Sequence, residues 1–328
     1  VQLLSFKLFI EGSIPMVIPK LTISRPVMTL AFVLLAQCTL PADAQTTLRW
    51  KFKSGEKLNY VTEQKTVSKG MIMGMEIETK MSQVIEMSWA VKSVDSRGAA
   101  EMVQTIDRLR MNMESPFAAF EYDSKSGKEI EGPIGEIIGP ILNAMAGAEI
   151  SLKMDPSGNV SDVKLPEKLV DSLRTNPLIA QFGEMFSEDG IKQMAQGGAG
   201  SVGAFPENAV SKGESWDKKA ELKNPFAVIG VVTTSTYAGP ETREGVKLEK
   251  IDVKMTQSIE PAPGGMIEIK IGSQDSKGTA YFDNSQGRLV AQEMTQKMKM
   301  EIDVMGNVIE QDVESVMSVK LSTGESKK

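Results

Sequence analysis

The chain has 328 residues, with 37 basic and 43 acidic side chains, 21 Met, one Cys and no His. Without His there is no Ser-His-Asp or Cys-His nucleophile, no imidazole metal ligand and no side chain that titrates unperturbed near neutrality. A net charge of −6 with no long Lys/Arg run lacks the footprint of a nucleic-acid binder, and 41% hydrophobic with 24% charged residues is a folded globular composition.

The first 44 residues read as an address. In KLTISRPVMTLAFVLLAQCTLPADA (20–44), Lys20 and Arg25 precede an apolar stretch over 27–35, and Ala42-Asp43-Ala44 forms a small-x-small site that predicts cleavage between Ala44 and Gln45. The stretch is well short of the roughly 20 apolar residues that cross a bilayer as a helix, so no transmembrane anchor is expected in the mature chain. Residues 1–19 fit neither a signal nor a domain, and Met16 would start a signal of ordinary length. Cys38 follows Gln37, where lipoprotein processing needs a small residue, so it is expected to leave with the signal. The expected location is the periplasm or the extracellular space. The mature protein, one domain over 45–328, would then hold no Cys and depend on core packing instead of disulfides.

From 48 to 122 the pattern is strand-like: LRWKFK, KLNYVTEQKTV, a long run over 71–91, then AAEMVQTIDRLRMNM. In the long run the odd positions are apolar except Thr79 and Gln83, while the even ones carry Glu76, Glu78, Lys80, Ser82, Glu86 and Ser88. This alternation predicts one long strand with a buried and a wet face, the habit of antiparallel sheet. Residues 133–196 change period. Ile134, Ile137, Ile138, Ile141, Leu142 and Met145 follow Pro133 at helical spacing, a hairpin turns at Asp155-Pro156-Ser157-Gly158, and two further helices are expected after Pro166 and around Leu178 to Phe186. The glycine-rich stretch 196–203 closes this section, and the remainder returns to strands with turns at 283–287 and at Met305-Gly306-Asn307. A shift of 232 residues aligns Met73-Gly74 with Met305-Gly306 and Ile77-Glu78 with Ile309-Glu310, a weak sign of a repeated hairpin.

LRWKFKSGEKLNYVTEQ, FEYDSKSG, SLKMDPSGNVSDV and above all FPENAVSKGESWD, with Pro206 and Gly213-Glu214-Ser215-Trp216, resemble an uncharacterised family of secreted bacterial proteins of planctomycete and Bacteroidetes type. The resemblance implies no activity and no catalytic residues. More distantly, GTAYFDNSQGRLV and the long amphipathic strands look like the periplasmic carriers of lipoproteins, which implies a curved half-barrel around helices and an apolar cavity; fold alone does not bring function.

Met71-x-Met73-x-Met75, Met111-x-Met113 and Met298-x-Met300 have a spacing that suits soft Cu(I), but the same faces continue with Ile and Trp, so Met reads as apolar filling. Glu76, Glu78, Glu86, Asp252, Glu301 and Asp303 fall on wet faces, which disfavours a desolvated acid/base pair. Asp155 to Asn159 and Asp283 to Gly287 lack the spacing of a calcium loop and read as turns. Trp89 and Trp216 read as core anchors.

The expected fold is α+β, mainly antiparallel β, a curved sheet or open half-barrel with a few helices on its concave face. The expected role is a non-catalytic envelope protein with no cofactor and no metal. Met71, Met73, Met75, Ile77, Met81, Ile85, Met87, Trp89, Met298, Met300, Ile302 and Val304 are the candidate lining of a core or of a cavity for a lipid or other apolar ligand. The alternative is a structural or protein-interaction module of the envelope or cell surface with a filled core.

Overall fold

The computed structural model describes residues 45–72, 74–175, 204–223, 227–261, 267–304 and 306–322. The strands are β1 Lys57–Ile72, β2 Met75–Val94, β3 Ala100–Glu114, β4 Ala119–Asp123, β5 Glu149–Met154, β6 Val160–Lys164, β7 Ser215–Lys223, β8 Ala227–Arg243, β9 Val246–Pro261, β10 Ile267–Asp283, β11 Arg288–Val304 and β12 Asn307–Ser322. Helices α1, Gly132–Met145, and α2, Glu167–Thr175, lie between β4 and β7. The strands form one open antiparallel sheet in the order β6-β5-β3-β2-β1-β12-β11-β10-β9-β8-β7, with β4 beside the far half of β3.

Laid flat, eleven strands at about 4.8 Å spacing would be roughly 48 Å wide. Yet one buried cluster holds Leu152, Met154 and Val160 from β5 and β6 together with Val231 and Tyr237 from β8, and Trp216 of β7 packs against it. Residues from opposite ends of the strand order meet only if the sheet is rolled. The roll closes at one end, where Lys218 Nζ on β7 donates to Asn159 Oδ1 in the β5–β6 turn at 3.1 Å and Phe205 N donates to Ser157 O at 2.7 Å. No strand pairing joins β6 to β7 among the described residues, so the roll is a half-barrel and not a barrel.

The helices cover the inner face beside β2, β3 and β4. Leu142 of α1 packs with Ile106, Leu109 and Tyr122, flanked by Ile85, Met87 and Ile138. Leu169 of α2 packs in turn on Ile141 and Ala144. Pro133 occupies the first turn of α1, where its missing N–H costs nothing, and Gly147 at φ 76 redirects the chain after the helix so that its N–H donates to Ile106 O of β3 at 2.8 Å. The helix expected around 178–186 and the glycine-rich stretch fall outside the described residues.

Two readings of the sequence are corrected. The run over 71–91 is not one strand: the chain turns at Gly74, with φ 78, and Ile72 pairs with Met75. The segment LRWKFK joins no ladder among the described residues; just before it, Thr46 bridges Val210. It crosses the closed end of the roll instead, with Trp50 N donating to Pro156 O at 2.7 Å and Lys51 N to Gly287 O at 3.0 Å. Arg49 fastens the same segment to the carbonyls of Pro206 and Glu207.

Gly287 makes this crossing possible. Its φ is +65, and a Cβ there would lie 2.3 Å from Lys51 N. Gly287→Ala should therefore lower stability by about 1–3 kcal/mol through strain and overpacking. Limited trypsin digestion should cleave the variant after Arg49, Lys51 or Lys53 faster than the parent; equal cleavage rates would show that the close approach is not a constraint.

The Asp155 and Asp283 loops are hairpin turns, as expected. Asp155 Oδ1 accepts from the N–H groups of Ser157 and Asn159, and Asp283 Oδ1 from those of Ser285 and Gln286, so each carboxylate serves its own turn. Between β3 and β4, Arg108 grips Asp123 with a two-pronged contact, Nε to Oδ1 at 3.0 Å and Nη2 to Oδ2 at 2.6 Å. The Arg108 hydrogen bond, helped by Lys125 N–H, pulls the Asp123 carboxyl down to about 2. A depressed folded value means that the contribution is complete above about pH 4 and is lost as pH falls toward 2. Asp123→Asn should cost less than about 1 kcal/mol at neutral pH, because the pair is partly exposed. The difference from the parent should vanish in urea titrations near pH 2; a difference that persists there would rule out the ion pair as its origin.

Candidate functional site

Strand register assigns the faces, because directly opposed residues share one. Even positions of β1 face inward with odd positions of β2 and β12, and even positions of β11 from Gln292 on face inward with even positions of β10 from Gln274 to Ala280, while a register shift brings Leu289 opposite Phe282. At the closed end this inner face is an aromatic cluster. Trp50 lies 5.4 Å from Phe282 and 5.9 Å from Trp89, Tyr60 lies 4.8 Å from Trp89, and Phe205 lies 4.8 Å from Phe282. Phe282 is fully buried, and the Tyr60 hydroxyl donates to Leu289 O. Beside the cluster, the Tyr237 hydroxyl donates to buried Glu249, and burial together with this bond pushes Tyr237 up to about 12. This cluster explains the FPENAVSKGESWD marker: Phe205 fills it, Pro206 O holds Arg49, Gly213 at φ 87 turns the chain with its N–H on Tyr237 O, and Trp216 packs on Phe205.

Away from the closed end, burial falls from complete to half. Ile77, Met81, Ile85 and Met87 of β2 and Met298, Met300 and Ile302 of β11 face inward and are half-buried, and Trp89 joins the aromatic cluster. Met75 faces inward at the hairpin tip but is 59% exposed. Val304 ends β11 in register with Asn307. Met71 is a correction: the turn at Gly74 places it on the outer face opposite Glu76, 48% exposed, so it does not line the interior. Met73 lies outside the described residues. Thus most of the candidate lining is brought onto one inward surface, joined by Met111 and Met113 of β3.

Sequence reasoning missed a band of uncharged polar residues on this same surface. Ser276, Gln296, Ser315 and Thr66 are directly opposed across β10, β11, β12 and β1, and the next step brings Gln64 opposite Gln83 of β2. The signal was present, since Gln83 was one of two breaks in the apolar series of β2, but Ser276, Gln296 and Ser315 are more than 190 residues away.

The sheet also parts beside this band. β9 and β10 pair only from Lys254 with Lys277 to Glu249 with Phe282. Beyond that point the ladder stops among the described residues, and the Gln274 amide bridges the gap by accepting from Gln257 N and donating to Gln257 O, both at 2.7 Å. Beside the band, side-chain bonds thus stand where the backbone ladder between β9 and β10 ends.

The outer face is different in kind. Lys69 and Lys80 flank Glu78, Lys297 pairs with Glu314 and Lys299 with Asp312. These bonds hold Glu78 below its usual range, with Lys80 contributing most. Glu86 is shared by Arg108 and Arg110. Hollows of about 530 and 680 Å³ on this side are lined largely by charged and polar residues, and one of about 820 Å³ mixes charged residues with Leu58, Val246, Leu248 and Val290. Such a face suits water and not the apolar band of a barrel in lipid. No helix among the described residues is long and apolar enough to cross a membrane, and no group of three or more acidic, His or Cys side chains among them is placed to hold a metal ion.

A model of a family of unknown function, DUF6263, matches residues 97–307. The match spans the FEYDSKSG, SLKMDPSGNVSDV and FPENAVSKGESWD stretches and bears out the resemblance to an uncharacterised family. No curated protein matches. Among solved structures, the chain is similar to lipovitellin, from work on lipid–protein interactions, at 10% identity and a TM-score of 0.43, over 83% of this chain and 25% of that one. It also aligns with an outer membrane channel from Pseudomonas putida F1 at 7% identity and a TM-score of 0.20, covering 86% and 99% of the two chains. A domain assigned to outer membrane lipoprotein sorting in Vibrio parahaemolyticus aligns at 8% identity and a TM-score of 0.14, covering 82% and 87%. The chain thus spans a quarter of the lipovitellin chain, and likeness at these scores carries no argument about what it binds.

Proposed function

We propose, for a chain that belongs to the DUF6263 family of unknown function, a non-catalytic role as an exported carrier of an apolar ligand held on the inner face of the rolled sheet. The observation that supports this most is the gradient along that face. Aromatic packing seals one end, while Met81, Met298, Met300 and Ile302 farther along stay half-exposed although they point inward. A core that serves stability alone buries such side chains, each worth about 1.5–3 kcal/mol when removed from water. Flexible thioethers suit a surface that must adapt to different chains. Export follows from the signal pattern and the predicted cleavage between Ala44 and Gln45.

The test is titration with the neutral fluorophore N-phenyl-1-naphthylamine. Saturable enhancement at about one site per chain is expected, in the range typical of small-molecule pockets. No enhancement would favour the rival reading, a structural or protein-interaction module with a filled core.

A further inference from the structure

We infer that the ligand on the inner face carries a neutral polar group, of the hydroxyl or ester type found in acylglycerols, seated on the Ser276–Gln296–Ser315–Thr66 row; this rests on the apolar-ligand reading above and names its chemical class. Three observations on the row lead there. The Ser276 hydroxyl is almost completely buried, at 1% exposure, and finds no hydrogen-bond partner among the described residues. Directly opposite it, Gln296 offers an amide without a partner among the described residues, and so does Gln83 two strands beyond Ser315. Between them Gln64 Nε2 donates to Ser315 Oγ at 3.3 Å, and Ser315 and Thr66 hydroxyls meet at 3.0 Å, so part of the row is held in place while its ends are open.

Buried donors and acceptors without partners are costly, and a ligand that supplies the partner relieves that cost. Charge decides which ligand. Between the aromatic cluster and the hairpin rim, the inward positions of β1, β2 and β9–β12 carry no charged residue among the described residues. The nearest inward cation, Lys218 of β7, is three strands from Ser276 and already donates to Asn159, so a carboxylate or phosphate on the row would be desolvated without a partner beside it, which is far more expensive than burying a hydroxyl or ester that Gln and Ser can bond. Apolar residues lie on both sides of the row, Met294 and Met317 toward the closed end and Met298 and Val313 toward the rim. That order matches a molecule with a neutral polar group and an acyl chain, and it does not match a plain hydrocarbon, which would leave Ser276 and Gln296 unsatisfied.

Isothermal titration of the purified protein with 1-decanoylglycerol and with decanoate, near pH 8 so that the acid is ionised, separates the possibilities because the two share one acyl chain. The glyceride should bind at least about tenfold more tightly. Gln296→Leu and Gln83→Leu should reduce that preference to below about threefold while the fluorophore still binds. Equal or tighter binding of decanoate, or a preference untouched by both substitutions, would overturn the neutral-ligand assignment and leave the apolar carrier standing. Failure of the glyceride, decanoate and the fluorophore alike would remove the carrier reading itself.

Discussion

Phe282→Ala should destabilise the protein by about 3–5 kcal/mol, close to the whole stability of many domains. Phe282 is 0% exposed and joins Trp50 to Phe205, that is, the crossing segment 46–53 to the marker segment at 205–216. Removing the ring opens a cavity where the two edges of the roll are brought together, and close-packed neighbours relax only partly into such a space. All three Trp residues, 50, 89 and 216, belong to or pack on this cluster, so their emission reports it directly. Urea unfolding followed by Trp fluorescence should show a lower midpoint. Where the Ala variant does not accumulate folded, Phe282→Leu keeps more volume and should cost roughly 1–2 kcal/mol. A Leu variant with the parent midpoint would show that the aromatic seal does not hold the roll.

The second large effect concerns binding without folding. Met298→Glu and Met81→Glu place a carboxylate on the inward surface at half-buried positions of β11 and β2. Each should weaken binding of the neutral fluorophore by about a hundredfold or more, since an apolar ligand would have to desolvate the charge. Stability should fall by only about 1 kcal/mol, because the side chain was never fully removed from water. Met298→Leu keeps the apolar surface and should bind as the parent does. Loss of binding in the Leu variant, or full binding in both Glu variants, would place the ligand elsewhere.

Much of this fold was legible because strand alternation is a local signal. Odd positions from Ile77 to Val91 and the turns at 155–158 and 283–287 were read correctly from neighbours alone. Helix α1 was legible for the same reason, from its Ile spacing after Pro133. The break at Gly74 was not, since apolar residues at 71, 73 and 75 keep period two in the sequence while the inward parity changes from even in β1 to odd in β2. The clue lay in the 232-residue shift. It carries the pair Ile72 with Met75 onto Val304 with Asn307, and Gly306 at φ 86 marks there the same turn that Gly74 makes at φ 78.

Leu48, Trp50 and Phe52 alternate like a strand, but Trp50 finds the Pro156 carbonyl and the Phe282 ring more than 100 residues away, which no local pattern encodes. The polar row is illegible for a related reason. Gln64 and Gln83 sit in one hairpin, whereas Ser315, Gln296 and Ser276 arrive only when β12 pairs with β1. In sequence each is an isolated interruption of an apolar face; in the roll they stand side by side.

The central claim, that the inner face carries an apolar ligand, is tested most directly by native mass spectrometry of the protein isolated without detergent from cells that export it. The account predicts a population whose mass exceeds that of the processed chain by one neutral lipid, lost on Met298→Glu. A bare chain only, together with no uptake of the fluorophore or the glyceride in solution, would contradict it.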